Sequence, residues 1–174
     1  MVVAMETQPR LTKTYRLLVR GTNINETSLL ATDYLNHFNE VVMLLELIPD
    51  MPDMLEEVEE WKPATYVEHF AASGFSDKEL AIWAYENSPH EYIHAFEDLV
   101  ATANEQIFAT MGLLKKLNGT VPEDEFRNQT LAKVREVRLT LEQIAGVING
   151  TVPRYDQAEI DDIMDQNAID SLFD

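Results

Sequence analysis

Between Ser88 and Pro153 the chain reads SPHEYIHAFEDLVATANEQIFATMGLLKKLNGTVPEDEFRNQTLAKVREVRLTLEQIAGVINGTVP. The apolar residues Ile93, Phe96, Val100, Ala103, Ile107, Leu114 and Leu117 return every three or four positions, and Val134, Val137, Leu141, Ile144 and Ile148 do so again. An α-helix turns once in about 3.6 residues, so this spacing gathers each set onto one stripe, as in the seam of a coiled coil. Thr110 interrupts the first stripe. Ser88, Pro89 and Glu91 read as N-cap, first helical residue and capping-box acid, and Thr120 to Glu123 reads as the cap of the second helix. Leu117-Asn-Gly-Thr-Val-Pro122 between them joins a glycine that tolerates left-handed backbone to a proline that restarts a helix. The same punctuation recurs 31 residues on, as Ile148-Asn-Gly-Thr-Val-Pro153. The expectation is an all-α chain: a helical bundle with a long antiparallel helix hairpin and a short amphipathic C-terminal tail.

Upstream, Leu30, Tyr34, Phe38, Val41, Val42, Leu45 and Ile48 keep helical spacing and predict a helix from about Glu26 to Ile48, stopped by Pro49 and Pro52. Asp53 to Trp61 reads as a short acidic helix whose Glu56, Glu57, Glu59 and Glu60 form a solvated face. Pro63 opens and Gly74 closes a further short helix, and the capping box Ser76 to Glu79 starts one that runs to about Glu86. The first twenty residues carry Arg10, Lys13, Arg16 and Arg20 against Glu6 alone, and their imperfect alternation predicts an extended arm or a frayed terminus. The division expected is an N-terminal arm (1–24), a helical domain (25–150) and an acidic interaction tail (151–174).

Composition narrows the function classes. A formal charge of -18 over 174 residues repels nucleic acid and anionic membrane surfaces, and suits a basic or apolar protein groove as partner. The absence of cysteine removes disulfides, thiolate metal sites and thiol catalysis. No apolar run approaches membrane-spanning length and the N-terminus lacks a signal-peptide core, so a cytoplasmic protein is expected.

His90-Glu91-Tyr92-Ile93-His94 matches HExxH, which on a helix stacks two imidazoles on one face, with Glu97 one turn beyond His94. Glu91-x-x-His94 is also half of a di-iron carboxylate pattern, whose second half is missing: Tyr34 and Tyr66 stand three residues before His37 and His69. His90, His94 and Glu97, faced by His37 and Glu40, are therefore the candidate zinc or iron ligands. Against this, Glu91 already serves as a capping acid and His90 lies in the fraying first turn. The alternatives are no cofactor and a partly buried histidine bonded to a neighbour.

The last residues say one thing twice. Asp156-Gln-Ala-Glu-Ile-Asp-Asp-Ile-Met164 is followed at once by Asp165-Gln-Asn-Ala-Ile-Asp-Ser-Leu-Phe173, both reading DQxxIDx and then two apolar residues. Each copy is a short acidic amphipathic helix with one apolar stripe, Ile160, Ile163 and Met164 or Ile169, Leu172 and Phe173, beside Asp161 or Asp170. Nine residues advance a helix by about 900°, so in one unbroken helix the two stripes face opposite sides.

The first copy resembles the receiver-binding peptide of the flagellar motor switch protein FliM, of pattern SQAEIDALL, and Gln166 to Phe173 is similar to the receiver-binding tail of the chemotaxis phosphatase CheZ. The resemblance covers the tail alone. It implies a signalling interaction protein whose tail docks in a groove of a response-regulator receiver domain such as CheY, with dephosphorylation of the receiver as a further implied activity. The phosphatase uses an acid and an amide on a long helical hairpin, the amide orienting water at an aspartyl phosphate. The corresponding residue types here are Glu125 with Asn128 or Gln129, and Asn104 or Gln106, none within a stretch that matches the phosphatase. A homodimer formed through the hairpin seams is a further expectation.

Overall fold

A computed structural model describes residues 11–151; the tail residues Ile160, Asp161, Ile163, Met164, Ile169, Asp170, Leu172 and Phe173 lie outside the described residues. Among the described residues the chain forms seven α-helices and no strand: α1 (Thr12–Leu18), α2 (Asn36–Leu47), α3 (Leu55–Glu60), α4 (Tyr66–Ala72), α5 (Lys78–Glu86), α6 (His90–Leu117) and α7 (Glu123–Ile148). The all-α expectation holds.

The long hairpin is α6 against α7. Two cross-links fix its direction: Thr140 donates to Gln106 Oε1 at 2.7 Å in mid-helix, and Tyr92 donates to the Gly150 carbonyl at 3.0 Å at the open end, so the helices run antiparallel. Ile93, Phe96, Ala103, Ile107 and Leu114 of α6 and Val134, Val137, Leu141, Ile144 and Ile148 of α7 are buried, as their periodicity requires. Thr110 does not break the seam. It is buried and returns its hydroxyl to the Gln106 carbonyl at 2.7 Å, as Thr130 does to Phe126, so only the methyl faces the core.

The first half departs further from expectation. The helix predicted from Glu26 begins only at Asn36, after a 3-10 turn over Thr32–Leu35. Asn25 is the cause. Its Oδ1 accepts from the amides of Thr27 at 2.8 Å and Ser28 at 3.1 Å, an Asx turn that competes with helix, and Leu29 then takes a positive φ of 61°. The resulting loop is a keystone. Ser28 donates to the Ile148 carbonyl at the end of α7, and Ser88, just before α6, donates to the Ser28 carbonyl, both within the buried interior.

Residues 12–18 form a helix instead of an arm, because Asn87 holds its start: Leu11 N–H donates to Asn87 Oδ1 at 2.9 Å and Thr12 Oγ1 to the Asn87 carbonyl at 2.7 Å. Several caps also shift. Thr65, with its Oγ1 taking the Glu68 amide at 3.1 Å, opens α4 in place of Pro63, and Ser73 in place of Gly74 follows its end. Neither the Ser76 box nor the Ser88 box is used: α5 starts after Asp77 and α6 after Pro89, each with no side-chain cap, and the Ser88 hydroxyl goes to the Ser28 carbonyl. Thr120 gives its hydroxyl back to the Lys116 and Leu117 carbonyls, finishing α6, and Pro122 precedes α7. The acidic helix α3 matches its reading, with Leu55 and Val58 buried and its glutamates outward.

Candidate functional site

Where α2, α4, α5 and α6 meet, the core becomes aromatic. Tyr34-Leu-Asn-His37-Phe38 and Tyr66-Val-Glu-His69-Phe70 share the pattern YxxHF, which on a helix or 3-10 turn presents ring, imidazole and ring on one side. The two copies meet in space, with Tyr34 and Tyr66 ring centroids 5.5 Å apart and His37 and His69 6.3 Å apart. Phe96 of α6 packs edge-on against both tyrosines, at 5.5 and 5.7 Å, and Tyr85 of α5 stacks on Tyr66 at 4.7 Å.

Each of the three phenol oxygens makes a hydrogen bond. Tyr34 donates to the Ala64 carbonyl at 2.6 Å, Tyr66 Oη accepts from the Ala31 amide at 2.9 Å, and Tyr85 donates to Glu97 Oε1 at 2.6 Å. Burial raises the pKa of all three phenols, helped at Tyr34 by the nearby Glu68 charge and at Tyr85 by the bond to Glu97. His37 is held in place as well. Its Nε2 accepts the Ala64 amide at 3.1 Å, its ring stacks on Trp61 at 4.8 Å, and its carbonyl takes the Trp61 indole N–H at 3.0 Å. Burial, followed by repulsion from His69, pulls its pKa down to about 4, so it is a neutral imidazole bearing its proton on Nδ1.

Beside this cluster lies a cavity of about 230 Å³. Tyr34, Tyr66, Tyr85 and Phe96 wall it, while Glu97 and Asn104, seven residues and two turns apart on α6, supply its polar edge. Asn104 Oδ1 is buried and has no hydrogen-bond partner among the described residues. A buried amide oxygen left unpaired costs about 1–3 kcal/mol, which sets this site apart from a plain packing gap.

The candidate metal ligands are not brought together. His90 and His94 lie one turn apart on the exposed side of α6, ring centroids 5.9 Å apart, but Glu97 turns to Tyr85, His37 belongs to the aromatic core, and Glu40 stands exposed on α2. Among the described residues no three His, Asp or Glu side chains are placed to hold a metal ion. Of the acid and amide candidates, Gln129 donates to Glu125 at 3.1 Å on the surface of α7, while Gln106 is occupied by Thr140 and Asn104 is recessed in the cavity.

Sequence reasoning missed the aromatic site, although the doubled YxxHF was its signal. It was met only as a failed di-iron motif, with the tyrosines counted as absences. Among the described residues no helix is long and apolar enough to cross a membrane. No family model, no curated protein and no solved structure matches the chain.

Proposed function

We propose that this protein is a signalling interaction protein that holds a response-regulator receiver domain through its acidic C-terminal repeat. The observation that carries the reading is the repeat itself, DQxxIDx followed by two apolar residues, twice in register over Asp156 to Phe173. A helix docked in a groove is read through anchors at i, i+3 and i+4, and each copy offers such a set. The position of the repeat in the sequence, shortly after the end of α7, supports the reading. Just before it, α7 ends in a Schellman cap, with Gly150 N–H on the Val147 carbonyl at 3.0 Å and Thr151 N–H on the Gly146 carbonyl at 2.8 Å. Tyr92 donates to the Gly150 carbonyl, so the end of α7 is tied to the start of α6.

Three apolar anchors per copy and the cost of ordering them give a modest, micromolar affinity. Titration of the full chain with a chemotaxis receiver, with and without beryllofluoride as phosphoryl mimic, tests the proposal. Ile160→Ala and Ile169→Ala each weaken binding without lowering thermal stability, and the double variant abolishes it. No binding in either receiver state refutes the proposal, and a large stability loss in either variant makes that copy part of the core instead. Catalysed dephosphorylation is a separate readout of the same mixture, for which the surface Glu125–Gln129 pair is the group to substitute.

A further inference from the structure

We propose that the cavity between α4, α5 and α6 is a binding site for an organic ammonium group carried on an apolar stem. A carboxylate set among aromatic rings leads to that class. Tyr34 and Tyr85 have spent their hydroxyl protons on Ala64 and Glu97, whereas Tyr66 and Thr65 accept from the Ala31 and Glu68 amides. Glu97 is the one charged side chain in its lining, and Asn104, whose Oδ1 has no partner among the described residues, lines it as well. A ligand that satisfies both must bring donors, and one that faces a carboxylate gains by bringing positive charge.

The walls agree with this. Tyr34, Tyr66, Tyr85 and Phe96 line the cavity with aromatic rings, Tyr85 being the partly open one; such rings attract cations and cover apolar stems, and a chain of net charge -18 raises the local concentration of any cation. The Tyr85 hydroxyl also holds Glu97 in place, so the carboxylate is oriented before the ligand arrives. A volume of about 230 Å³ is below the range of drug-sized pockets and fits a stem of roughly ten heavy atoms or fewer.

The ammonium can belong to a free small amine or to a lysine side chain of another protein, and two probes separate these sources. Isothermal titration of the full chain uses 2-phenylethylamine and N-acetyl-lysine-N-methylamide, with N-acetyl-2-phenylethylamine and 3-phenylpropionate as neutral and anionic controls. At least one ammonium probe is expected to bind at millimolar concentration or below, with the controls at least tenfold weaker, and the preferred probe assigns the source. Glu97→Gln lowers that affinity at least tenfold, whereas Asp98→Asn, an exposed carboxylate on the next residue of α6, leaves it unchanged and so tests for diffuse attraction to an acidic surface. Asn104→Leu also weakens binding but raises the melting temperature, since it removes the orphaned acceptor, and this shows that the loss is not misfolding. Equal response to ammonium and neutral probes, equal effects of Glu97→Gln and Asp98→Asn, or no binding of either ammonium at millimolar concentration overturns the proposal.

Discussion

Acidification should loosen this fold through one histidine. Folded His37 has its pKa pulled from 6.5 to about 4, first by burial and then by His69, and its Nε2 is the acceptor of the Ala64 amide. A protonated imidazole has no acceptor, so below its folded pKa the bond to Ala64 is lost and a charge stands against Trp61 and Tyr34. The unfolded chain, with the ordinary histidine pKa, binds the proton first. Between pH 6.5 and pH 4 the unfolded state therefore carries more protons, and stability rises with pH through that window and is lost as pH falls. Taken at face value, the shift removes about 2 kcal/mol between pH 8 and pH 5; with His37 only partly buried, solvent screening reduces this to about 1 kcal/mol. For a chain of this size that is a fall of about 2–4 °C in melting temperature. Thermal melts by circular dichroism at pH 8, 7, 6 and 5 measure it, with His37→Gln as reference because an amide can still accept from Ala64 without titrating here. A His37→Gln variant with the same pH slope as the parent would refute the assignment.

The remaining predictions concern the joints. Ser28→Ala removes both the donor to the Ile148 carbonyl and the acceptor of the Leu30 amide in a buried setting, and should cost about 1–3 kcal/mol, read as a lower urea midpoint at unchanged slope. Gly119→Ala and Gly150→Ala both force a side chain into left-handed backbone, at φ 76° and 95°. Only at Gly150 does the added Cβ also meet a neighbour, Thr27 Cβ at 3.2 Å, so that variant should lose about 2 kcal/mol against about 1 kcal/mol for Gly119; equal losses would contradict the close approach. In mid-helix, Gly112→Ala has open space and should stabilise by about 0.5–1 kcal/mol in the same urea assay.

What was legible in the sequence is what is local. The stripes of α6 and α7 are readable because each residue's place on its helix follows from its neighbours, and the buried Ile107, Leu114, Val137 and Ile144 are the ones the spacing selects. The segment from Glu26 to Leu35, expected as helix, differs for the opposite reason. Leu30 and Tyr34 fit a helical period, but Ser28 finds its partner 120 residues away at Ile148, and a period cannot carry that information. The cavity was illegible in a third way. Glu97 and Asn104 lie off the seam of α6, where a pattern of apolar spacing treats them as solvent-facing, and their meaning comes from Tyr85 and Tyr66 on other helices.

The doubled Asn-Gly-Thr-Val-Pro shows where the division falls. Both glycines take the left-handed conformation their sequence demands. Yet Asn118 has ψ 117°, so the Thr120 amide returns to the Leu117 carbonyl at 2.9 Å in a type II turn, while Asn149 has ψ 10° and the chain closes in the Schellman bonds of Gly150 and Thr151. The word fixes the glycine and leaves open the peptide plane before it. The two sites differ in surroundings: Gly119 stands in open space, whereas Gly150 packs on Thr27 and its carbonyl is bonded to Tyr92. Tertiary contacts at the base of the hairpin thus accompany one rotamer of the backbone at the second stop. The same contacts join Ser28, Ser88 and Tyr92 to the end of α7, so the loop before α2, the start of α6 and the second stop meet at one joint.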